Sequence, residues 1–165
     1  MRHTLSVVVE DQAGVLARVA SMFAQRAFNI HSLAVGPTHE EGRSRITLVV
    51  DAPDVEQLSK QLYKLVNVLK VTELAPGEGV ESEVMLVRIA ATPDTRGTVV
   101  ETAAMLDATL LDLGPNSVTF QVAGDPDKLG RFLEVMEPFD VIELVKSGRV
   151  AIAKDSARAA ARAAR

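Results

Sequence analysis

The sequence predicts an α+β protein built from two tandem units, each running strand, helix, strand, strand, helix, strand. Three observations carry that prediction. Apolar residues alternate with a period of two in short runs such as Leu5, Val7, Val9 and Ile46, Leu48, Val50, the pattern of strands with one buried face. Between such runs they recur every three to four residues, as in Val15, Val19, Met22 and Phe23, the stripe of an amphipathic helix. The whole order then returns at an offset of about eighty residues. Strand-helix-strand-strand-helix-strand is the split βαβ, or ferredoxin-like, arrangement, in which two helices cover one face of a four-stranded antiparallel sheet.

The elements follow in order. Leu5 to Val9 form the first strand, and Glu10-Asp11-Gln12-Ala13-Gly14 turns it into the first helix, Val15 to Phe23. Asp11 or Gln12 stands where a helix N-cap belongs, and Gly14 brings a residue without a Cβ into the first turn. Asn29 to Val35 and Arg45 to Val50 form a hairpin around the polar loop Thr38-His39-Glu40-Glu41-Gly42. Pro53-Asp54 opens a second helix whose stripe is Val55, Leu58, Leu62 and Leu65. Asn67 closes that helix, and Val68 to Leu74 make the fourth strand. The first domain is thus residues 1–76, and the turn-rich stretch 77–82 reads as a linker.

Residues 83–154 repeat the order. Val84 to Ala91 is a strand, Pro93-Asp94 starts a helix with Val99, Ala103 and Leu106, and Thr109–Leu113 with Val118–Val122 form a hairpin around Gly114-Pro115-Asn116. Asp125-Pro126 starts a helix with Leu129, Phe132, Leu133 and Met136, and Val141 to Val145 closes the sheet. The tail, 155–165, is rich in alanine and arginine; Arg158, Arg162 and Arg165 at helical spacing suit a solvated helix or a contact for an acidic surface. Val8, Val49, Val84 and Leu86 point apolar side chains away from the helix-covered faces. Together with free sheet edges, they lead us to expect at least a homodimer.

Composition narrows the function. The 165 residues are 47% hydrophobic and 24% charged with a net charge of −4, and the pI is near 5.4; no broad basic field suits nucleic acid. There are no cysteines, which excludes disulfides and thiolate metal sites and accords with a cytoplasmic protein. The apolar run after Met1-Arg2-His3 is too short for a signal or membrane segment, so no membrane partner is expected. His3, His31 and His39 lack the spacing of a metal site, and adjacent Glu10 and Asp11 point different ways from a strand end. No nucleophile-base pair is legible, so no catalytic or metal residue is expected; a small enzyme using Glu10, Asp11 and Arg45 would rest on fold analogy alone.

What remains is the turn itself. Helix N-terminal amides and the positive end of the helix dipole suit a carboxylate or phosphate. Most strand-to-helix turns of this kind bind nothing and merely satisfy backbone donors. Asp11 or Asn29 stands ready for an ammonium group if the fold brings the second strand's start beside the turn.

The run Leu5-Ser6-Val7-Val8-Val9-Glu10-Asp11-Gln12-Ala13-Gly14-Val15-Leu16-Ala17-Arg18-Val19, followed by Phe23 to Leu33 and Ser44 to Thr47, resembles the ACT domain of acetolactate synthase (acetohydroxyacid synthase) small subunits. Gln61 to Val71, Glu83 to Arg88, Gln121 to Gly124, Lys128-Leu129 and Ser147-Gly148 extend the resemblance over nearly the whole chain. It implies an ACT domain followed by a second ferredoxin-like domain, in a regulatory subunit that is inactive alone. Such a subunit activates a separate catalytic large subunit and makes it sensitive to a branched-chain amino acid, valine foremost. Thiamine diphosphate, Mg and FAD are expected on that catalytic subunit and none on this chain.

The resemblance also implies ACT domains paired edge to edge through the second strand, with the effector between the turn of one copy and the strand-two start of the other. Carried over, Gly14 and the N–H groups of Ala13, Val15 and Leu16 receive the effector carboxylate, with Asp11 and Gln12 in the same turn. Asn29 of the other copy contacts the effector's polar end and Ile30 its aliphatic side chain. Asp11 stands where the family often has Asn; its carboxylate favours the effector's ammonium and opposes its carboxylate. Gln57 and Gln61 on the second helix and the C-terminal domain are candidate surfaces for the large subunit. The alternative is a free-standing amino-acid sensor serving another enzyme or regulator.

Overall fold

A computed structural model describes residues 2–26 and 28–156. The expected tail, beyond Ser156, lies outside the described residues. The first four strands are β1 (Arg2–Glu10), β2 (Asn29–Pro37), β3 (Arg43–Asp51) and β4 (Val68–Leu74), with helices α1 (Val15–Gln25) and α2 (Val55–Leu62). Then come β5 (Gly79–Ala90), α3 (Arg96–Ala104), β6 (Thr109–Leu113), β7 (Ser117–Gly124), α4 (Pro126–Met136), β8 (Val141–Lys146) and β9 (Val150–Ala153). Two compact units result, divided within β5: one holds the described residues up to Glu81 together with those from Arg149, the other Ser82–Gly148.

In the first unit the sheet order is β2-β3-β1-β4, antiparallel throughout. Leu5 faces Leu48 and Val7 faces Ile46 across the β1–β3 ladder, so the alternation read from the sequence becomes one apolar face. Val15, Val19, Met22 and Phe23 of α1 and Leu58 and Leu62 of α2 close over it. Phe28 packs edge-on to Phe23 with ring centroids 6.1 Å apart. The Asp54 side chain accepts from the Gln57 N–H at 2.9 Å, the expected N-cap of α2. The helix stops at Leu62, and Leu65 belongs to the turn that follows, whose carbonyl accepts from Val68 N–H at 3.0 Å.

The second unit repeats this as β6-β7-β5-β8. Its core joins Met85, Val87, Ile89, Val118, Phe120 and Val122 to residues of α3 and α4, and Phe120 meets Phe132 edge-on at 6.5 Å. Asp125 caps α4 through Lys128 N–H at 2.8 Å. Asp94 does not cap α3: the helix begins at Arg96 behind Thr95, which has no side-chain cap bond to the helix and instead exchanges hydrogen bonds with Thr92.

Three expectations change. The strand placed at Val84 begins at Gly79, inside the stretch read as a linker; Val80 has the β-branched shape that continues a strand even though Gly77 and Gly79 flank it. Residues 150–153, assigned from the sequence to the end of the second domain, form β9, which pairs with β5 and contacts β1. Lys154 N–H donates to Glu78 O at 2.8 Å, Arg149 N–H to Ser32 Oγ at 2.7 Å, and the Arg149 guanidinium meets the Glu81 carboxylate at 3.0 Å.

The third change concerns the sheet face turned away from the helices. Thr4, Ser6, Thr47 and Val49, paired across β1 and β3, are buried. Val49 is therefore not an open apolar residue, and Val8 is only partly accessible. Leu86 and Val84 of the second unit are open, as expected. Among the described residues no helix is long and apolar enough to cross a membrane.

Candidate functional site

The turn at the end of β1 is held by backbone. Glu10 N–H donates to Asn67 O at 2.9 Å, Asp11 N–H to Gly42 O at 2.8 Å and Gln12 N–H to Glu10 O at 3.0 Å. Gly14 then adopts φ 85° and ψ −5° as the N-cap of α1, a left-handed conformation that glycine enters without Cβ strain. Neither Asp11 nor Gln12 caps the helix, because the chain turns through Gly14 before helical geometry begins. Val15 N–H reaches Gln12 O at a long 3.4 Å, and Arg18 N–H reaches Gly14 O at 3.1 Å. Among the described residues the N–H groups of Ala13, Gly14, Leu16 and Ala17 meet no acceptor. Three of these lie in the turn singled out from the sequence; Ala17 is added to it, and the Val15 amide is already engaged.

The side chains divide accordingly. Asp11, Gln12, Ala13, Gly14 and Leu16 are exposed, while Val15 is buried in the core. The polar support of the turn comes from a residue that the sequence reading used only to end a helix. Asn67, 5% exposed, donates from Nδ2 to Glu10 Oε2 at 2.8 Å and to Gln12 Oε1 at 3.4 Å. Its Oδ1 accepts from Arg18 Nη1. Nothing local in the sequence signals this, since Asn67 is 49 to 57 residues along the chain from the other three.

Asn29 and Ile30 are not beside the turn of their own chain. Asn29 pairs with Asp51 and Asp51 with Arg2, whereas Glu10 pairs with Arg43 at the other end of the same ladder. Eight strand steps at about 3.3 Å put the two regions roughly 26 Å apart. The strand that carries them, β2, lies at the sheet edge, with Leu33 and Val35 exposed. Asn29 is exposed and Ile30 half-buried against the core. Beyond them β2 bulges at His31, whose Nε2 donates to Asp51 Oδ2 at 2.5 Å. That hydrogen bond, against a smaller opposing effect of burial, holds the Asp51 carboxyl below its ordinary 3.8.

The three histidines are dispersed: His3 bonds Glu73 at 2.8 Å, His31 bonds Asp51, and His39 lies 3.7 Å from Glu40. Among the described residues no group of three His, Cys, Asp or Glu side chains is placed to hold a metal. The Glu10 carboxylate is committed to Asn67.

A ferredoxin-like unit whose first strand-to-helix turn offers free amides, on a sheet that ends at edge strand β2, has the architecture of an ACT-type domain, here followed by a second unit of the same order. Residues 5–70 match the AHAS small subunit-like ACT domain and residues 82–155 match the small subunit of acetolactate synthase. The acetolactate synthase small subunit of Mycolicibacterium smegmatis is 44% identical over 154 residues, 92% of this chain and 91% of the relative. A probable acetolactate synthase small subunit of Archaeoglobus fulgidus is 42% identical over 156 residues, 93% and 98% of the two chains. The crystal structure of the small subunit from Thermotoga maritima superimposes with a TM-score of 0.84 at 30% identity, covering 93% of this chain and 98% of that one. The chain belongs to the acetolactate synthase small-subunit family, and its role is that of a regulatory subunit.

Proposed function

We propose that this chain binds and activates the catalytic large subunit of acetolactate synthase and subjects it to feedback inhibition by a branched-chain amino acid, with valine the first candidate. The observation that carries the reading is the placement of the two half-sites. The Gly14 turn and the start of β2 lie at opposite ends of one sheet, and β2 is an edge strand. A second copy pairing antiparallel along β2 reverses that strand, so the Asn29 end of one copy falls at the Pro37 end of the other, the end that carries the turn. Two-fold pairing thus joins the two half-sites twice, as an isologous interface requires.

In that arrangement the amides of Ala13, Gly14 and Leu16 bind the effector carboxylate, and the neighbouring copy supplies Asn29 to its polar end and Ile30 to its aliphatic side chain. Asp11, exposed in the turn, attracts the ammonium group. The effector changes activity because it binds the states of the dimer unequally. Thiamine diphosphate, Mg and FAD belong to the large subunit in this reading.

Isothermal titration of the purified chain with valine, leucine and isoleucine, followed by reconstitution with the large subunit, tests it. Saturable heat with one of them, lost in Asn29→Ala, and large-subunit activity that rises on mixing and falls with the same amino acid are the expected results. Absence of heat with all three would overturn the effector assignment, and absence of activation the subunit assignment.

A further inference from the structure

We propose that Asn67 is the positioning residue of the effector turn: its side chain sets the direction of the free amides without touching the effector. This rests on the reading of the Gly14 turn as the effector site, and it adds a residue and a device to that reading. The turn is exposed and its own hydrogen bonds are few. Four bonds at Asn67 supply the missing restraint, and between them they reach the residues before, within and beyond it. The main-chain carbonyl takes the Glu10 N–H before the turn at 2.9 Å. The amide nitrogen holds Glu10 Oε2 at 2.8 Å and Gln12 Oε1 at 3.4 Å, within it. The amide oxygen takes Arg18 Nη1, on the first turn of the helix beyond it. Glu10 and Arg18 carry opposite charge, and only a group that both donates and accepts can sit between them; a primary amide does.

Asn67 is itself buried and sits in the turn immediately before β4, so the effector turn is referenced to the start of a sheet strand rather than to solvent. The same bonds make a mechanical link. Whatever pulls the amides toward an effector carboxylate also pulls Glu10, Gln12 and Arg18 against Asn67, and hence against the α2–β4 corner, where Tyr63 and Val66 are exposed.

Asn67→Asp tests the assignment with almost no change of volume. It keeps the acceptor for Arg18, removes both donor bonds and sets a second carboxylate against Glu10. The expected result is valine affinity lower by about tenfold or more, the scale of one lost net hydrogen bond plus a like-charge contact, with dimer mass and circular dichroism unchanged. Adding Glu10→Gln, whose amide can donate to the new carboxylate, should restore most of the affinity; a merely structural role would not predict rescue by a change of hydrogen-bond polarity. Wild-type affinity in Asn67→Asp, or loss without rescue in the double variant, would overturn the proposal. Hydrogen exchange without any effector gives an independent readout. The Val15 and Arg18 amides should exchange several-fold faster in Asn67→Asp, and unchanged rates would overturn the positioning role even if the wild-type chain bound no amino acid, the outcome that instead refutes the effector site.

Discussion

Replacing Gly14 separates the two properties of the turn, its backbone conformation and its empty space. Beyond Gly14 and its two chain neighbours, nothing stands within 4 Å of the position a Cβ would take, while φ is +85°. Gly14→Ala therefore costs left-handed strain and nothing else, about 1–2 kcal/mol. For a unit of this size each 1 kcal/mol moves the thermal midpoint by about 4–8 °C, so calorimetry should show the first unit melting several degrees lower. Gly14→Asp should cost less stability, because Asp tolerates this conformation better, but it sets a negative charge at the free amides. Two unit charges about 4 Å apart repel by roughly 1 kcal/mol in water and about 4 kcal/mol at the effective dielectric of a protein surface. Valine should then bind between about fivefold and about a thousandfold more weakly. The reconstituted enzyme should remain activated and lose its inhibition. Wild-type valine affinity in a folded Gly14→Asp variant would remove the turn from the effector site, and an unshifted midpoint in Gly14→Ala would contradict the backbone argument.

Three further expectations address other parts of the first and second units. Lysine at both Leu33 and Val35, exposed apolar residues of edge strand β2, should give a folded monomer by light scattering that no longer binds the effector, since in the proposed arrangement each site needs two copies; a dimer that still binds would move the interface elsewhere. Asp51 should titrate below 3.8 by NMR and return toward that value in His31→Ala. Because its folded-state value is the lowered one, the pair's contribution is present above the ordinary carboxylate range and is lost as the pH falls through the lowered value; an unmoved midpoint in the variant would refute the hydrogen-bond cause. Finally, Asp54→Ala and Asp125→Ala should each cost about 1 kcal/mol in denaturant unfolding, while Asp94→Ala, at a helix whose first turn donates no hydrogen bond to its side chain, should cost far less. Equal losses at all three would mean that the caps are not what distinguishes them.

Much of this architecture was legible because its causes are local. A period of two along Leu5, Val7 and Val9 and a period of three to four along Val15, Val19, Met22 and Phe23 are read within single elements, and both sets lie in one core. The caps at Asp54 and Asp125 were legible for the same reason, since a side chain three residues from its donor needs no tertiary partner. The cap of α1 was misread because an acidic residue before a helix is a frequent signal, whereas a left-handed glycine depends on how the incoming strand is aimed.

What the chain alone determined, then, is the order and type of nearly every element, the repeat, and the turn that presents amides. Tertiary structure decided the rest. The four-residue strand β9 is too short to carry a pattern of its own, and it is a strand because β5 offers it a partner. Asn67 became the support of the turn only when α2 and β4 brought it against Glu10, Gln12 and Arg18. The separation of Asn29 from Gly14 likewise follows from the antiparallel ladders. Pairing across a sheet joins residues far apart in sequence, and its register is set by the summed burial of whole faces, a quantity that no single stretch contains.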